Sequence, residues 1–492
     1  MLEFAGKREG NVNTKLHAAD PAADIPLCVD VDGTLISTDL LYESAFALLK
    51  KNFFAILYFP RWLARGKAYF KQQIADRVDL EVDLLPFNEA FLGYLKEEKA
   101  RGRTLILATA ANVKFAEQLM AHLGIFSGVV ASNADVNVSG HRKRQILVDR
   151  YGENGFDYAG NARVDLEIWT HARKAILVNP EPGVRREAES RFDIAGLFDS
   201  NRSLLQPMIQ ALRLHQWLKN LLVFVPLLMS HQILDPRLFG QALLAFLAFG
   251  FCASSVYLLN DLLDLPSDRR HPRKRNRPLA SGTLAIKQGV LLIPILLATA
   301  LAIAWLLPVG YLWVLILYYL MTLAYSFRLK QVALIDVLVL AGLYTMRIIA
   351  GAAATQIMPS FWLLAFSMFL FYSLALVKRY SELLPQQTGN TKVAGRGYWP
   401  VDLEGLAQAG LASGFLAVLV LALYVNSDQV ASIYTHPEGI WLLCPILLYW
   451  INRIWLLTRR GEMHEDPVVF AIRDHRSHWL VLIGGLVLWA SI

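Results

Sequence analysis

Asp261, Asp264 and Asp268 stand three and four residues apart at the end of an apolar stretch and run directly into six Arg or Lys residues, all within Asn260–Gly282 (NDLLDLPSDRRHPRKRNRPLASG). On one continuous helix that spacing puts the three carboxylates on one face. Oxygen ligands of this kind suit Mg²⁺, which is bound by one or two carboxylates jointly with substrate phosphates. The cations that follow, including Arg269, Lys274, Arg275 and Arg277, would hold the phosphate oxygens that a metal leaves over. A basic run beside a membrane can also be a topology signal and nothing more. The acidic triplet argues for a site, because charge at the end of a membrane span is costly unless it is used. A polyanion carrying Mg²⁺ is the expected ligand.

A second set of candidates lies near the N-terminus. Ile25–Val31 reads as a buried strand that delivers Asp30 and Asp32 of DVDGT to a turn. A second apolar run, Thr104–Ala108, ends in Thr109, and a third, Ala175–Asn179, ends in Pro180. Helical patterns between them suggest alternating α/β order, and ligand sites in open parallel sheets lie at the carboxyl ends of strands. GHRK carries Lys143, and FDYAGNARVD, expected between helices, carries Asp165.

What positions these groups follows from the apolar pattern. The chain has 492 residues, 55% of them hydrophobic, which is too long for one ordinary domain and too apolar for a wholly soluble one. Residues 1 to about 210 mix polar and apolar segments, whereas from Leu221 onward long apolar spans alternate with short polar loops. Spans are expected at about 219–232, 240–262, 287–307, 310–327, 333–354, 361–379, 406–425, 438–457 and 478–491, or roughly nine helices with the first and last short. Inner loops would hold nearly all the cations, among them Arg328, Lys330, Lys378, Arg379, Arg396 and Arg459, while the outer loops offer Arg237. That asymmetry predicts a multi-pass inner-membrane protein with its N-terminal domain in the cytoplasm.

The first 24 residues lack an apolar core of signal-peptide length and read as a disordered lead-in. The three cysteines are scattered without metal or disulfide spacing. The formal charge of +7 requires no nucleic acid, since the membrane half accounts for the cations. Oligomeric state is not legible.

The DVDGT motif, Thr109, Lys143 and Asp165, in that order over about 150 residues, resemble the four motifs of haloacid dehalogenase-like phosphohydrolases. The resemblance implies an α/β Rossmann-like domain over 25–205 with a helical cap at about 41–101. It makes Asp30 the nucleophile on phosphorus and Asp32 the general acid and base. Thr109 would bind phosphoryl oxygens, Lys143 would neutralise charge, and Asp30, Asp32 and Asp165 would hold Mg²⁺. Asn161 stands where the family usually has a further acid. Within the cap, Phe53, Phe54, Tyr58, Phe59 and Trp62 interleave with Lys51, Arg61, Arg65 and Lys67. These suit either an interfacial helix on anionic headgroups or a cap packed on its own core.

The NDxxDxxxD pattern resembles the first motif of the UbiA superfamily of intramembrane transferases, over nearly all of 210–492. The continuation DRRHPRKRNRPLASG and the segment RLHQWLKNLLVFVPLL are similar to its polyprenyl-phosphate phosphoribosyltransferases. The resemblance implies an all-α polytopic membrane domain in which Asn260, Asp261, Asp264 and Asp268 bind metal. Lys219, Arg269, Lys274, Arg275, Arg277, Tyr325, Lys330, Asp336, Arg347, Lys378 and Arg379 would meet substrate. Four residues beyond Asp336 stands Leu340, where the aromatic prenyltransferases carry a second acid. The implied activity is Mg²⁺-dependent transfer of phosphoribose from phosphoribosyl diphosphate to a polyprenyl phosphate, with the phosphatase-like domain acting on the product. Two other readings stay open: a prenyltransferase using prenyl diphosphate, and a non-hydrolysing phosphate sensor on a lipid-binding membrane protein. The loop Arg460–His478, with His464, His475 and His478, reads as a lid or as a solvated surface.

Overall fold

Leu27, Cys28 and Val29 are all apolar and wholly buried, so both faces of their strand are covered, as a parallel sheet requires. Alternation sorts them between two cores: Leu27 and Val29 pack with Leu105, Leu107, Ile176 and Val178, while Cys28 packs with Ile106, Ala108 and Leu177. The computed structural model describes residues 13–16, 25–199, 205–386, 397–427, 430, 434, 436–463 and 466–491. Two compact units emerge, one of Met1–Ala211 with Leu258–Leu292, the other of Leu212–Tyr257 with Ile293–Ile492.

In the first unit the strands are β1 (Asn13–Leu16), β2 (Leu27–Val29), β3 (Leu105–Asn112), β4 (Gly128–Ser132), β5 (Asp157–Gly160), β6 (Ala175–Val178) and β7 (Ile194–Asp199). Their order is β1-β7-β6-β5-β2-β3-β4, parallel throughout except for β1 against β7. The expected lead-in is therefore interrupted by a strand, whose ladder pairs Asn13 with Asp199 and Leu16 with Gly196. The rest of that lead-in lies outside the described residues. FDYAGNARVD supplies β5, which pairs with β2 and brings Asp165 to the same sheet end as Asp30.

The cap consists of helices Leu40–Lys51, Phe59–Ala64 and Lys67–Ala75, with a 3₁₀ turn at Phe53–Tyr58. Leu48, Ala55, Trp62, Ile74 and Ala75 join the core that contains Leu27 and Val29. Phe54 and Leu57, by contrast, are 69% and 72% exposed. The cap thus both packs on the sheet domain and presents an apolar ridge to the outside.

Among the described residues seven helices are long and apolar enough to cross a membrane: Pro236–Leu263, Ile286–Ala304, Val309–Phe327, Ile335–Thr355, Phe361–Leu383, Pro400–Val425 and Glu438–Arg459. The nine expected spans are not reached among the described residues. The first becomes a 3₁₀ segment, Leu214–Phe224, running into the short helix Val225–Met229, and the last is the 17-residue helix His475–Ser491. The 3₁₀ segment lies so close to the Ile335–Thr355 helix that a Cβ on Gly351 would meet the Val223 carbonyl oxygen at 1.9 Å. That approach sets Lys219 and Asn220 among the polar side chains of the helix.

Candidate functional site

In the sheet domain the strand ends bring the expected residues together. Lys143 donates to Asp30 at 2.7 Å and to the Tyr158 hydroxyl at 3.0 Å, and Tyr158 donates to Asp165 at 3.1 Å. Asp165 also accepts from the backbone N–H of Asn161 and Ala162, at 3.0 and 2.9 Å, while Asp32 accepts from Leu40 N–H at 2.8 Å. Thr109 is wholly buried and its hydroxyl accepts from Ala111 N–H. Gly33 adopts φ +78°, and a Cβ there would lie 2.3 Å from the Asn161 amide nitrogen, so the DGT turn has room for glycine alone. The Asn161 amide oxygen takes the Thr34 hydroxyl at 3.2 Å. Asn161 thereby braces the turn that carries the two aspartates.

Burial raises the Asp32 carboxyl well above its usual range, and the charges of Asp39 and Asp30 add to it. Burial and then the Asp30 charge push Asp165 up to about 6. Burial opposes charge on Lys143, yet Asp30 and Asp165 hold its ammonium above the ordinary value. Several buried acids thus crowd one lysine, and such an oxygen-rich, electron-dense corner fits a divalent cation. Two residues here were missed from sequence. Lys71, from the cap, donates to the Ala110 carbonyl at 2.5 Å and to Asn137 at 2.7 Å, beside the end of β3. Tyr158 links Lys143 to Asp165. Neither sits in a motif, and only the fold brings them in.

The acidic stretch after the Pro236–Leu263 helix departs from expectation. The helix stops at Leu263, and Leu265–Arg270 begins a new short one with Pro266 in its first turn. Proline has no N–H to continue the ladder, so the three aspartates do not share one continuous face. Asp261 and Asp268 instead converge on a single Arg277 nitrogen, at 3.1 and 2.5 Å. Asp264 turns to Lys50, at 2.9 Å. Arg269 is also diverted: its guanidinium lies buried against Glu43, with NH1 at 3.2 Å and NH2 at 2.5 Å, and its Nε donates to the Ala280 carbonyl. It is a structural strut and not the open phosphate ligand expected of it. Arg270 pairs with Glu81. Lys274 and Arg275 remain exposed in a 3₁₀ turn.

Two carboxylates already gathered around one positive nitrogen fit a metal cation in the same place. Among the described residues the buried Asn260 amide oxygen has no hydrogen-bond partner. Among the described residues no cluster of three or more His, Cys, Asp or Glu forms a ready metal cage.

In the second unit a hub appears that sequence reasoning did not name. Asp466, N-cap of the helix Pro467–Arg473, accepts from Lys219 at 2.7 Å and from the Tyr344 hydroxyl at 2.8 Å, with Lys378 at 3.4 Å. Although burial opposes its charge, the two ammonium groups hold the Asp466 carboxyl far below the usual carboxylate range. Arg347 donates to the Asn220 amide oxygen at 3.0 Å and lies over the rings of Phe249, Tyr318 and Tyr344. Two expected cations, Lys219 and Lys378, therefore share one acid, leaving positive charge in excess where an anion could enter. The signal was an Asp-Pro pair opening an apolar helix on a loop otherwise read as a lid.

Asp336 serves differently from its expected role. It is wholly buried, paired with the equally buried Arg379 at 2.6 Å, and takes the Tyr398 hydroxyl at 2.5 Å. Arg379 also pairs with Glu382 and reaches the Tyr325 hydroxyl at 3.5 Å. This network ties helices together and presents no free carboxylate to a ribose or an ion. Lys330 lies in the 3₁₀ turn Leu329–Gln331. Arg396 and His464 fall outside the described residues.

An acidic and basic stretch between two helices long and apolar enough to cross a membrane fits an intramembrane transferase. The chain belongs to the UbiA prenyltransferase family, whose profile matches residues 221–482, more than half of the sequence. It is 36% identical over 475 residues to the uncharacterized protein y4nM of Sinorhizobium fredii, covering 95% of this chain and 90% of that one. It is 37% identical over 283 residues to nodulation protein NoeC of Azorhizobium caulinodans, covering 57% and 90%. With the decaprenyl-phosphate phosphoribosyltransferase of Mycobacterium tuberculosis it shares 36% identity over 194 residues, 38% of this chain and 64% of that protein. Among solved structures, a UbiA homolog from Archaeoglobus fulgidus bound to GPP and Mg²⁺ aligns with a TM-score of 0.44 at 17% identity, covering 57% of this chain and 99% of that one. A HAD family hydrolase from Salmonella enterica aligns with a TM-score of 0.28 at 18% identity, covering 35% and 66%.

Proposed function

We propose that the chain transfers phosphoribose from phosphoribosyl diphosphate to a polyprenyl phosphate, at the cytoplasmic face of the inner membrane. The observation that carries this reading is the convergence of Asp261 and Asp268 on Arg277, beside the exposed Lys274 and Arg275, in a UbiA-family chain. Similarity to decaprenyl-phosphate phosphoribosyltransferases supports the donor. Asp261 and Asp268, with Asn260, would hold Mg²⁺, which supplies neutralisation of the donor's diphosphate. Arg277 is then released from the two carboxylates to face phosphate oxygens, and Lys274 and Arg275 add charge from the loop. A lipid phosphate oxygen forms the new bond to the anomeric carbon as the bond to diphosphate breaks, and the leaving group departs with its electron pair. Lys219 and Lys378 are suited to an anionic oxygen, because Asp466 satisfies only part of their charge.

The sheet domain would remove a phosphate from the phosphoribosyl lipid. Asp30 would attack phosphorus as the ester oxygen leaves with the P–O electron pair and takes a proton from Asp32, and water would then hydrolyse the aspartyl phosphate; Lys143 would take the developing charge, and Asp30, Asp32 and Asp165 would hold Mg²⁺. The domain boundaries that follow are 25–205 and 210–492, with the loop 258–292 folding against the first. A second reading, prenyl transfer from a prenyl diphosphate, is favoured by the family's description. Against it stand Leu340 in place of a second acid and the burial of Asp336. The phosphate-sensor reading rests on Asn161, whose amide braces Thr34.

Protein in detergent, given labelled phosphoribosyl diphosphate, polyprenyl phosphate and Mg²⁺, should yield organic-extractable label that chelation abolishes. Label that stays aqueous with every polyprenyl phosphate, while prenyl diphosphate is consumed with a lipophilic acceptor, would establish the second reading.

A further inference from the structure

The cap holds a cavity of about 490 Å³ that neither proposed reaction uses. Its walls include Tyr58, Arg61, Trp62, Arg65, Tyr69 and Arg77, and no Asp or Glu lines it. Among the described residues no carboxylate pairs with Arg61 or Arg65, and both side chains are exposed. Arg65 is steadied by the Tyr69 hydroxyl at 3.0 Å, and Arg77 lies 4.9 Å from the Trp62 ring centre while donating to Gln73. The guanidinium planes are thus oriented by aromatic and amide groups that leave their charge uncompensated. Such forks match phosphate oxygens.

Beside this cleft stands an apolar ridge that is exposed among the described residues: Phe54, Ile56, Leu57 and Leu63 are 69%, 42%, 72% and 52% exposed. A cationic cleft next to projecting Phe and Leu side chains has the two halves of an interfacial lipid site, a headgroup pocket and an insertion edge. The covalently attached spans keep a bilayer permanently available to the cap.

We propose that this cleft and ridge bind the surface of an anionic phospholipid bilayer, with Arg61, Arg65 and Arg77 on headgroup phosphates and Phe54 and Leu57 inserted at the acyl boundary. The site is independent of the transferase and phosphatase readings. A free phosphate would leave the ridge unburied, whereas a bilayer buries the ridge and binds the cations together, and the chain's own apolar spans tie it to one.

The test is hydrogen exchange on the full chain in nanodiscs. Residues 53–77 should exchange more slowly in discs containing about a third phosphatidylglycerol than in pure phosphatidylcholine. Arg61→Gln and Arg65→Gln, both at exposed positions that leave the core untouched, should each reduce that protection roughly fivefold, as expected for a cation at an anionic surface. Leu57→Ser should reduce protection without altering its dependence on phosphatidylglycerol. Equal protection in the two lipids, protection conferred on neutral discs by inorganic phosphate alone, or wild-type behaviour of the Arg61→Gln/Arg65→Gln double variant would each overturn the proposal.

Discussion

The two acidic centres of this chain are built in opposite ways. Asp30, Asp32 and Asp165 are fixed by the ends of β2 and β5 and by a glycine turn, so their positions follow from a sheet whose core is closed on both faces. Asp261 and Asp268 owe their meeting to a helix that breaks before Pro266 and to a loop cation, Arg277, that returns to bridge them. The first is a scaffolded centre with Lys143 permanently inside it; the second holds its own cation in a loop that substrate could displace. On the proposed transfer reaction, a centre that exchanges a diphosphate at every turnover gains from a counter-ion that can let go.

This contrast can be broken in several places. Replacing Asp30 by Asn should remove phosphate release by about four orders of magnitude or more, as loss of a nucleophile does, while leaving lipid-linked transfer intact; free phosphate and extractable label, measured together, check it. Loss of transfer in the same variant would make the centres one. The sheet's own stability is tested by Asp157→Ala. That carboxylate is buried between Arg103 and Arg173, and removing it should destabilise the N-terminal unit by about 3–5 kcal/mol, seen as a lower denaturant midpoint.

A smaller effect is expected where the two kinds of construction touch. Glu43, which also takes the Thr38 hydroxyl at 2.7 Å, anchors Arg269 of the loop. A double-mutant cycle of Glu43→Gln and Arg269→Gln should give a coupling of roughly 1–3 kcal/mol, and donor KM should rise in each single variant. No coupling would mean that the loop does not depend on the strut. The smallest effect belongs to the exposed Lys274 and Arg275: Gln at either should raise donor KM a few-fold, and added salt should shrink the difference.

Much of the sheet domain was legible because motif residues and apolar runs coincide: DVDGT follows β2 directly, and Lys143 lies on the helix His141–Tyr151. The five- and four-residue strands β4 and β5 were not, since their short runs carry little periodic signal and only pairing defines them. Span identity was legible from hydropathy, but the 3₁₀ course of Leu214–Phe224 was not, because it depends on how closely Gly351 admits that segment. At the acidic stretch, spacing alone suggested a shared face; Pro266 was visible in the sequence, and its missing N–H is the reason the face divides. Asp466 escaped notice because one acid among several on a polar loop acquires meaning only when Lys219, Tyr344 and Lys378 arrive from other segments.

On the proposed function, Asp261 and Asp268 serve transfer while Asp30 serves removal of phosphate. The most direct test of that division is the mass of the lipid product made from phosphoribosyl diphosphate and a polyprenyl phosphate by the wild-type, Asp261→Asn and Asp30→Asn proteins. Wild type should yield a ribosyl lipid lacking the terminal phosphate, Asp30→Asn the same lipid with that phosphate retained, and Asp261→Asn about 10²–10³-fold less of either. Undiminished product from Asp261→Asn, or identical product masses from wild type and Asp30→Asn, would contradict it.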